Sequence, residues 1–434
     1  MHRSLRIAEI VELIFRHLIV GGWGGYRTYS KALAALARTC KTFQNPALDL
    51  LWEQQTTLHN YLNCFPRGLI KILKGADIRL LQPITDKDWE RPLFYSARVK
   101  RLSLGRGDLF ASGRELRTLS FGDHIFPNLE AFVVIVCYPA SLQPSLDYLP
   151  LLLSPRIKGI NVQFQSHPAL LPQILPALTL LCPSLTHVKL SAECCSYGEL
   201  EHKALSKFYQ NLVRVESLVV EDLDQPTFEH LGRLLSLEAL RLENPNAPRM
   251  SHLPPSMLPH PPATCWGDES PENVPDKCRI DGATLRTMFC FVNVESVSLR
   301  QIFNLDDGDI LTMARAWPRL QLLSLGDWSD VVKSRVTLQA CPRSLRTPAA
   351  ATGGVSQASL KKLDVSYSPI VAPRAVAVFL SFMFPEVGVS FDRNEESELE
   401  SEEAKYGDRW TEVNRILEDL RAPKENVAEG TRRN

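Results

Sequence analysis

Cysteine and histidine are the residues of this chain that could bind a metal, and glycine-flanked turns are the places that could hold a phosphate. A tetrahedral metal site needs thiolates or imidazoles in close pairs. Cys194-Cys195, Cys265 and Cys278 do not form Cys-x-x-Cys pairs, and His252 and His260 sit in a proline-dense span. Ligands carried on that span could act only after it had been ordered, which costs conformational entropy. Neither a Gly-x-Ser-x-Gly elbow nor a Gly-x-x-x-x-Gly-Lys phosphate loop occurs. Gly105-Arg106-Gly107 is too short for a dinucleotide fingerprint and fits a strand-to-helix turn. Arg106-Gly107-Asp108 has the composition of an adhesion motif, which an intracellular chain does not use. His187 falls in a strand pattern and reads as a surface residue. The expectation is a chain with no catalytic residue, no metal and no cofactor, hence not an enzyme.

Composition narrows the classes further. Lys plus Arg and Asp plus Glu both total 49 in 434 residues, so the chain lacks the basic excess of a nucleic-acid-binding protein. No apolar run is long enough to span a bilayer; Ala131 to Cys137 and Ala375 to Phe384 read as core elements. Glu9, Glu12 and Arg16 interrupt any signal-peptide core near the N-terminus. Most of the ten cysteines lie singly in apolar frames, Cys137, Cys182 and Cys290 among them, where a reduced thiol is a small core residue. A cytoplasmic or nuclear location is expected.

What the chain does carry is apolar periodicity. Ile7, Ile10, Val11, Ile14 and Leu18 share one helical face, and Leu33, Leu36, Ala37 and Cys40 repeat the pattern on a second helix. Asn45 as an N-cap and Pro46 in a first turn predict a third helix there, carrying Leu48, Leu51 and Trp52 and running on through Leu58 and Leu62 towards Phe65. Three helices this short and this apolar cannot cover one another fully. Something else must bury the excess.

Glu9-Ile10, Ile14-Phe15, Leu18, Leu36, Cys40-Lys41, Phe43 and the Pro46-to-Leu51-Trp52 ending resemble an F-box, more narrowly that of fungal, basidiomycete-type F-box proteins with irregular leucine-rich repeats. The resemblance covers about fifty residues closely. Ala8 stands where the family has proline, and the Gly-rich stretch from Val20 to Tyr26 is longer than a compact F-box needs. The resemblance implies docking onto a Skp-family adaptor and so onto a cullin-type ubiquitin ligase. The adaptor-binding residues it implies are Ile7, Glu9, Ile10, Ile14, Phe15, Leu18, Leu36, Cys40, Phe43, Leu48 and Trp52. The alternative is a repeat scaffold without ligase coupling.

Downstream the chain repeats itself in an apolar-x-x-apolar-x-apolar frame. The frames start at Val99, Leu116, Leu129, Ile157, Leu185, Val215, Leu237, Val294, Leu320 and Leu360. Successive central frames lie about 22 to 30 residues apart, the leucine-rich-repeat period with one strand and one helix per unit. Helix-like runs fall between them, at Ala204 to Asn211, Phe228 to Leu235, Leu285 to Phe291 and Ile310 to Trp317. Stacked units close one another's core. The expected fold class is α/β: a small helical module over 1–66, a connector over 67–97, and a curved repeat solenoid over 98–392. From 393 follow an acidic segment, a short amphipathic helix marked by Trp410, Val413 and Leu417, and a disordered tail.

Side chains between the apolar positions of each strand point away from the core. In the central frames these are Lys189, Val219, Arg241, Ser298, Ser324 and Asp364, with Glu221-Asp222, Glu243-Asn244, Arg300-Gln301 and Gly326-Asp327 just beyond. Lys189, Arg241, Glu221, Glu243, Arg300 and Asp364 are the candidate substrate-binding residues. The strip mixes both charge signs and has no aromatic ladder or lysine run, so it suits a target protein better than nucleic acid or membrane.

The prolines between Asn244 and Lys277 can donate neither ladder nor helical hydrogen bonds, which predicts a loop outside the core. Replacing the span with a short Gly-Ser linker should cost about 1 kcal/mol or less, because closure entropy grows slowly with length. A thermal melt checks this, and a large drop would make the span structural.

Overall fold

The computed structural model describes residues 7–17, 26–72, 78–105, 124–136, 149–164, 170–192, 197–220, 223–243, 279–300, 302–304, 307–325, 357–365, 370, 372–391 and 402–422. It forms two compact units, Met1–Leu212 and Val213–Asn434, so the division falls inside the expected repeat span. The fold is mixed α/β and built on parallel strands.

The first unit opens with helices α1 (Ala8–His17), α2 (Tyr26–Leu36) and α3 (Lys41–Glu53). Val11, Phe15, Leu33, Ala47 and Leu50 form their shared core. Helix α3 starts earlier than the sequence suggests: Cys40 is at the N-cap, Pro46 lies inside the helix, and the exposed Asn45 instead accepts from Arg98 Nη2 at 3.0 Å. It also ends earlier. Gln54–Gln55 leave the helix as strand β1, because they pair in parallel with Arg101 and Leu102 of β4 (Arg101–Leu104). A separate short helix, α4 (His59–Leu62), follows.

The expected connector is structured too. It holds an antiparallel pair, β2 (Ile70–Ile72) with β3 (Ile78–Leu80), then a 3-10 turn at Asp86–Trp89 and helix α5 (Glu90–Ser96). Thr85 and Asp88 form a capping box there, and the two hydrogen bonds from Thr85 hold the Asp88 carboxyl below its usual range.

Beyond β4 the parallel order in this unit is β5 (Ala131–Val136), β6 (Gly159–Phe164) and β7 (His187–Ala192). In the second unit it is β8 (Ser217–Val220), β9 (Ala239–Glu243), β11 (Ser296–Arg300), β13 (Leu322–Leu325), β14 (Lys362–Asp364) and β15 (Gly388–Ser390). Two further strands, β10 (Arg279–Asp281) and β12 (Ile302–Asn304), pair only with each other. Every frame except that at Leu116, which lies outside the described residues, falls on one of these strands. Its apolar positions are buried wherever they are described, as with Val99, Leu102 and Leu104 or Val215, Leu218 and Val220. Helices Glu199–Gln210, Gln225–Gly232 and Asp307–Ala316 fall where helical runs are expected, the run at Leu285 to Phe291 divides into helix Gly282–Thr287 and a 3-10 turn Met288–Cys290, and Leu171–Leu181 is a helix outside the expected runs.

The strand β15 is not part of any frame. It is covered by the C-terminal helix Glu402–Arg421, which is longer than the short amphipathic helix expected and buries Trp410, Val413 and Leu417. Asn414 of that helix donates from Nδ2 to the Val389 carbonyl at 2.8 Å and accepts the Val389 N–H at 3.2 Å. Arg421 donates to the carbonyls of Pro385 and Val387. The span Asn244 to Lys277 lies outside the described residues, as does the tail after 422. Among the described residues no helix is long and apolar enough to cross a membrane.

Asn414→Ala strips both backbone groups of Val389 of their partner in a partly buried setting. The expected loss is about 2 kcal/mol, measurable by denaturant unfolding.

Candidate functional site

Two surfaces stand out. The first is on α1, whose two faces are both apolar. Val11 and Phe15 (4% exposed) turn inward, and Phe15 meets Phe43 edge-on at 5.4 Å between ring centroids. On the other side Ile7 is 47%, Leu13 62% and Ile14 44% exposed, and Ile10 is half-buried beside them. Arg16 fixes this helix by bonding Glu12 at 2.7 Å and Glu53 of α3 at 3.1 Å, an arrangement that raises the guanidinium pKa mainly through the Glu12 hydrogen bond.

The structure therefore divides the expected adaptor-binding residues. Ile7, Glu9 and Ile14 are exposed, and Ile10, Leu36, Cys40, Phe43, Leu48 and Trp52 are half-buried. Leu36 and Phe43 pack against the helical core, and Phe15 belongs to it. Trp52 stacks on Tyr95 of α5 with centroids 4.5 Å apart. Leu18 lies outside the described residues. Of the expected residues, Ile7, Ile10 and Ile14 thus share the outer apolar face of α1 with Leu13, and Phe15 lies on the inner one. Leu13 is missed by an Ile-centred reading of the face, although it continues the i, i+3 spacing from Ile10.

The second surface is the outward side of the parallel strands. Strand register aligns Ser103, Val133, Asn161 and Lys189 in the first unit. In the second it aligns Val219, Arg241, Ser298, Ser324, Asp364 and Ser390. All are half-buried, while apolar strand residues beside them, such as Leu102 and Leu104 or Leu240 and Leu242, are buried. Ser324 Oγ donates to Asp364 Oδ2 at 3.4 Å. Arg300 and Glu243 are paired in register, their side chains outside the described residues, and Glu221 lies outside them altogether. Lys189, Arg241 and Asp364 therefore occupy outward positions, with Lys189 on the first unit and the others on the second. Asn161 and Gln163 share that face and are not among the sequence candidates, whereas Ser191, two residues past Lys189, is buried. The alternation that finds Lys189 also finds them when carried across neighbouring frames and past the frame's end.

Among the described residues no group of three His, Cys, Asp or Glu side chains could hold a metal. Burial pushes the thiol of Cys64 up to about 11 and that of Cys182 up to about 12, so both stay protonated and unreactive at neutral pH. Cys290, expected in the core, is exposed instead; it closes a 3-10 turn where its Sγ reaches the Thr287 carbonyl at 3.3 Å.

No protein-family model matches the chain, and no curated protein matches it significantly.

The two faces of α1 should separate in stability. Phe15→Ala should cost about 3 to 5 kcal/mol through lost packing. The double variant Leu13→Glu, Ile14→Glu should stay within about 0.5 kcal/mol of the parent, as surface changes do. Urea unfolding of both variants checks the division.

Proposed function

We propose that this chain is the substrate-recognition subunit of a Skp–cullin–F-box type ubiquitin ligase. In this reading α1 to α3 are the F-box module and dock the Skp-family adaptor. The parallel strands and their helices are an irregular leucine-rich-repeat solenoid whose outward strand face holds a target protein. The observation that carries the reading is the aliphatic strip Ile7, Ile10, Leu13 and Ile14, displayed on a helix whose opposite face already fills its own core. A short amphipathic helix does not need a second apolar face to fold. Such a face marks a protein contact.

The mechanism is proximity. The receptor lowers no chemical barrier; it holds a target near the ubiquitin-loading machinery and raises its effective concentration there. A second reading, a scaffold without ligase coupling, is favoured by the inward positions of Phe15 and Trp52, which leave the adaptor a smaller surface.

Co-purification of the full chain with the adaptor and cullin distinguishes them. Burying Leu13 and Ile14 contributes on the order of 3 kcal/mol or more, so Leu13→Glu, Ile14→Glu should weaken adaptor capture by about a hundredfold or more. If the unaltered chain captures no adaptor, the ligase reading fails and the scaffold reading stands.

A further inference from the structure

A tight turn feeds the parallel strands. Its fourth N–H returns to its first carbonyl, as Leu129 does to Phe126, Ile157 to Ser154, Leu237 to Leu234, Val294 to Phe291 and Leu320 to Trp317. Proline suits the second place of such a turn because its ring presets φ. Pro127, Pro155 and Pro318 stand there, all exposed, and Pro183 holds the matching place two residues ahead of the frame at Leu185. Three frames depart from this. Two residues ahead of Val215, Leu237 and Val294 stand Val213, Leu235 and Val292, which are 73%, 77% and 50% exposed. The turn has no need of these aliphatic side chains, and the core does not bury them.

The three lie on neighbouring strands, since β8 pairs with β9 and β9 with β11 in one register. Asn293 donates to the Leu235 carbonyl at 3.2 Å and so holds two of the turns side by side. Adjacent strands are about 4.8 Å apart, which makes Val213, Leu235 and Val292 a row with steps of about that length. An acid opens each of the three strands, one residue into the frame: Glu216, Glu238 and Glu295. Glu295 is bonded to Arg319 and Gln321, whereas Glu216 and Glu238 are exposed carboxylates. The exposed Arg214 and Arg233 precede the frame starts, so negative charge borders the row on the side toward the strands.

We propose that this row docks an amphipathic helix of a partner protein, with an aliphatic residue at each turn and Lys or Arg along the border that faces the strands. The turns of an α-helix are about 5.4 Å apart, close to the step of the row, so successive anchors meet Val213, Leu235 and Val292 in order. The acids Glu216 and Glu238 then select the basic border and set the orientation of the helix. Three aliphatic side chains bury roughly 300 Å². Each partner of a stable dimer covers about 800 Å², so the row suits a helix and not a second copy of this chain. The site is separate from both the strip on α1 and the outward strand face, and it goes beyond the receptor reading.

The test is fluorescence anisotropy of a labelled, alanine-rich helical peptide titrated with the full-length chain. The probe carries Leu at i, i+4 and i+7 with Lys beside them, and its counterpart carries Glu in place of Lys. The Lys probe should bind and the Glu probe should not. Leu235→Ser with Val292→Ser should raise Kd about tenfold or more at an unchanged melting temperature, and Glu216→Lys with Glu238→Lys should reverse the preference between the probes. The Leu13→Glu, Ile14→Glu chain should bind the Lys probe as the parent does. Absence of binding, equal binding of both probes, or binding that ignores the row variants would overturn the inference. So would a fall of several degrees in the melting temperature of the Leu235→Ser, Val292→Ser chain, which would assign the row to the fold. A dimer of the unaltered chain in sedimentation equilibrium that these substitutions dissolve would give the row to a second copy and overturn it as well. Adaptor capture plays no part in these readouts, so failure of the ligase reading leaves them standing.

Discussion

The backbone hydrogen bond that opens each parallel strand is the constraint on which the surfaces depend. The carbonyl of the residue just before one strand accepts two N–H groups from the next. Lys100 accepts from Glu130 and Ala131, Glu130 from Lys158 and Gly159, and Lys158 from Thr186 and His187. In the second unit Glu216 accepts from Glu238 and Ala239, Glu238 from Glu295 and Ser296, and Glu295 from Gln321 and Leu322. A slip of one residue would turn every buried leucine outward and every outward polar residue inward. The repeated bond forbids it. Its position also explains why loops of very different length between frames are tolerated: register is set at the strand's entrance, and closure entropy is insensitive to what lies between.

Side chains just ahead of the frames reinforce that lock. Asn128 donates to the Ala97 carbonyl at 2.7 Å and accepts from Arg156 at 2.6 Å. Ser236 donates to Val215, Asn293 to Leu235 and Ser359 to Pro318, each reaching back to the preceding repeat. In the first repeat the same place is held by Arg98, which pairs with Asp49 and Asn45 of α3 and lies over the Phe94 ring at 4.4 Å. With Trp52 stacked on Tyr95 and α3 passing into β1 without a linker, the helical module is joined to the first strands through side chain and backbone alike. Trp52 is spent on that junction, which is why it does not face outward with Ile14.

The frames were legible because burial and alternation write themselves directly into residue type: a buried strand position is Leu, Val, Ile or Phe, and its neighbours are not. The same directness applied to Val11 and Leu33. What the sequence concealed were elements whose stability comes from distant partners. Gln54–Gln55 have no strand character of their own and become β1 only beside Arg101 and Leu102. Gly388–Ser390 are a strand because Lys362 to Asp364 lie next to them and Asn414 closes their far side. Phe15 and Ile14 are adjacent apolar residues in one helix, and only the packing of α2 and α3 decides that the first is core and the second is surface.

How the strands end bears on how a partner can be held. An extended peptide can bind a sheet by adding a strand to an open edge or by lying on a face. The first parallel strand in the chain, β1, is two residues long and offers too short a ladder for strand addition. The last, β15, presents Val389 to the carboxamide of Asn414, which occupies both its N–H and its carbonyl, while Arg421 takes the carbonyls of Pro385 and Val387. A side-chain amide here does what another strand would do, and it leaves no ladder to extend. In the proposed reading a partner is therefore met by the outward face, where backbone groups are already paired within the sheet and only side chains can contact it.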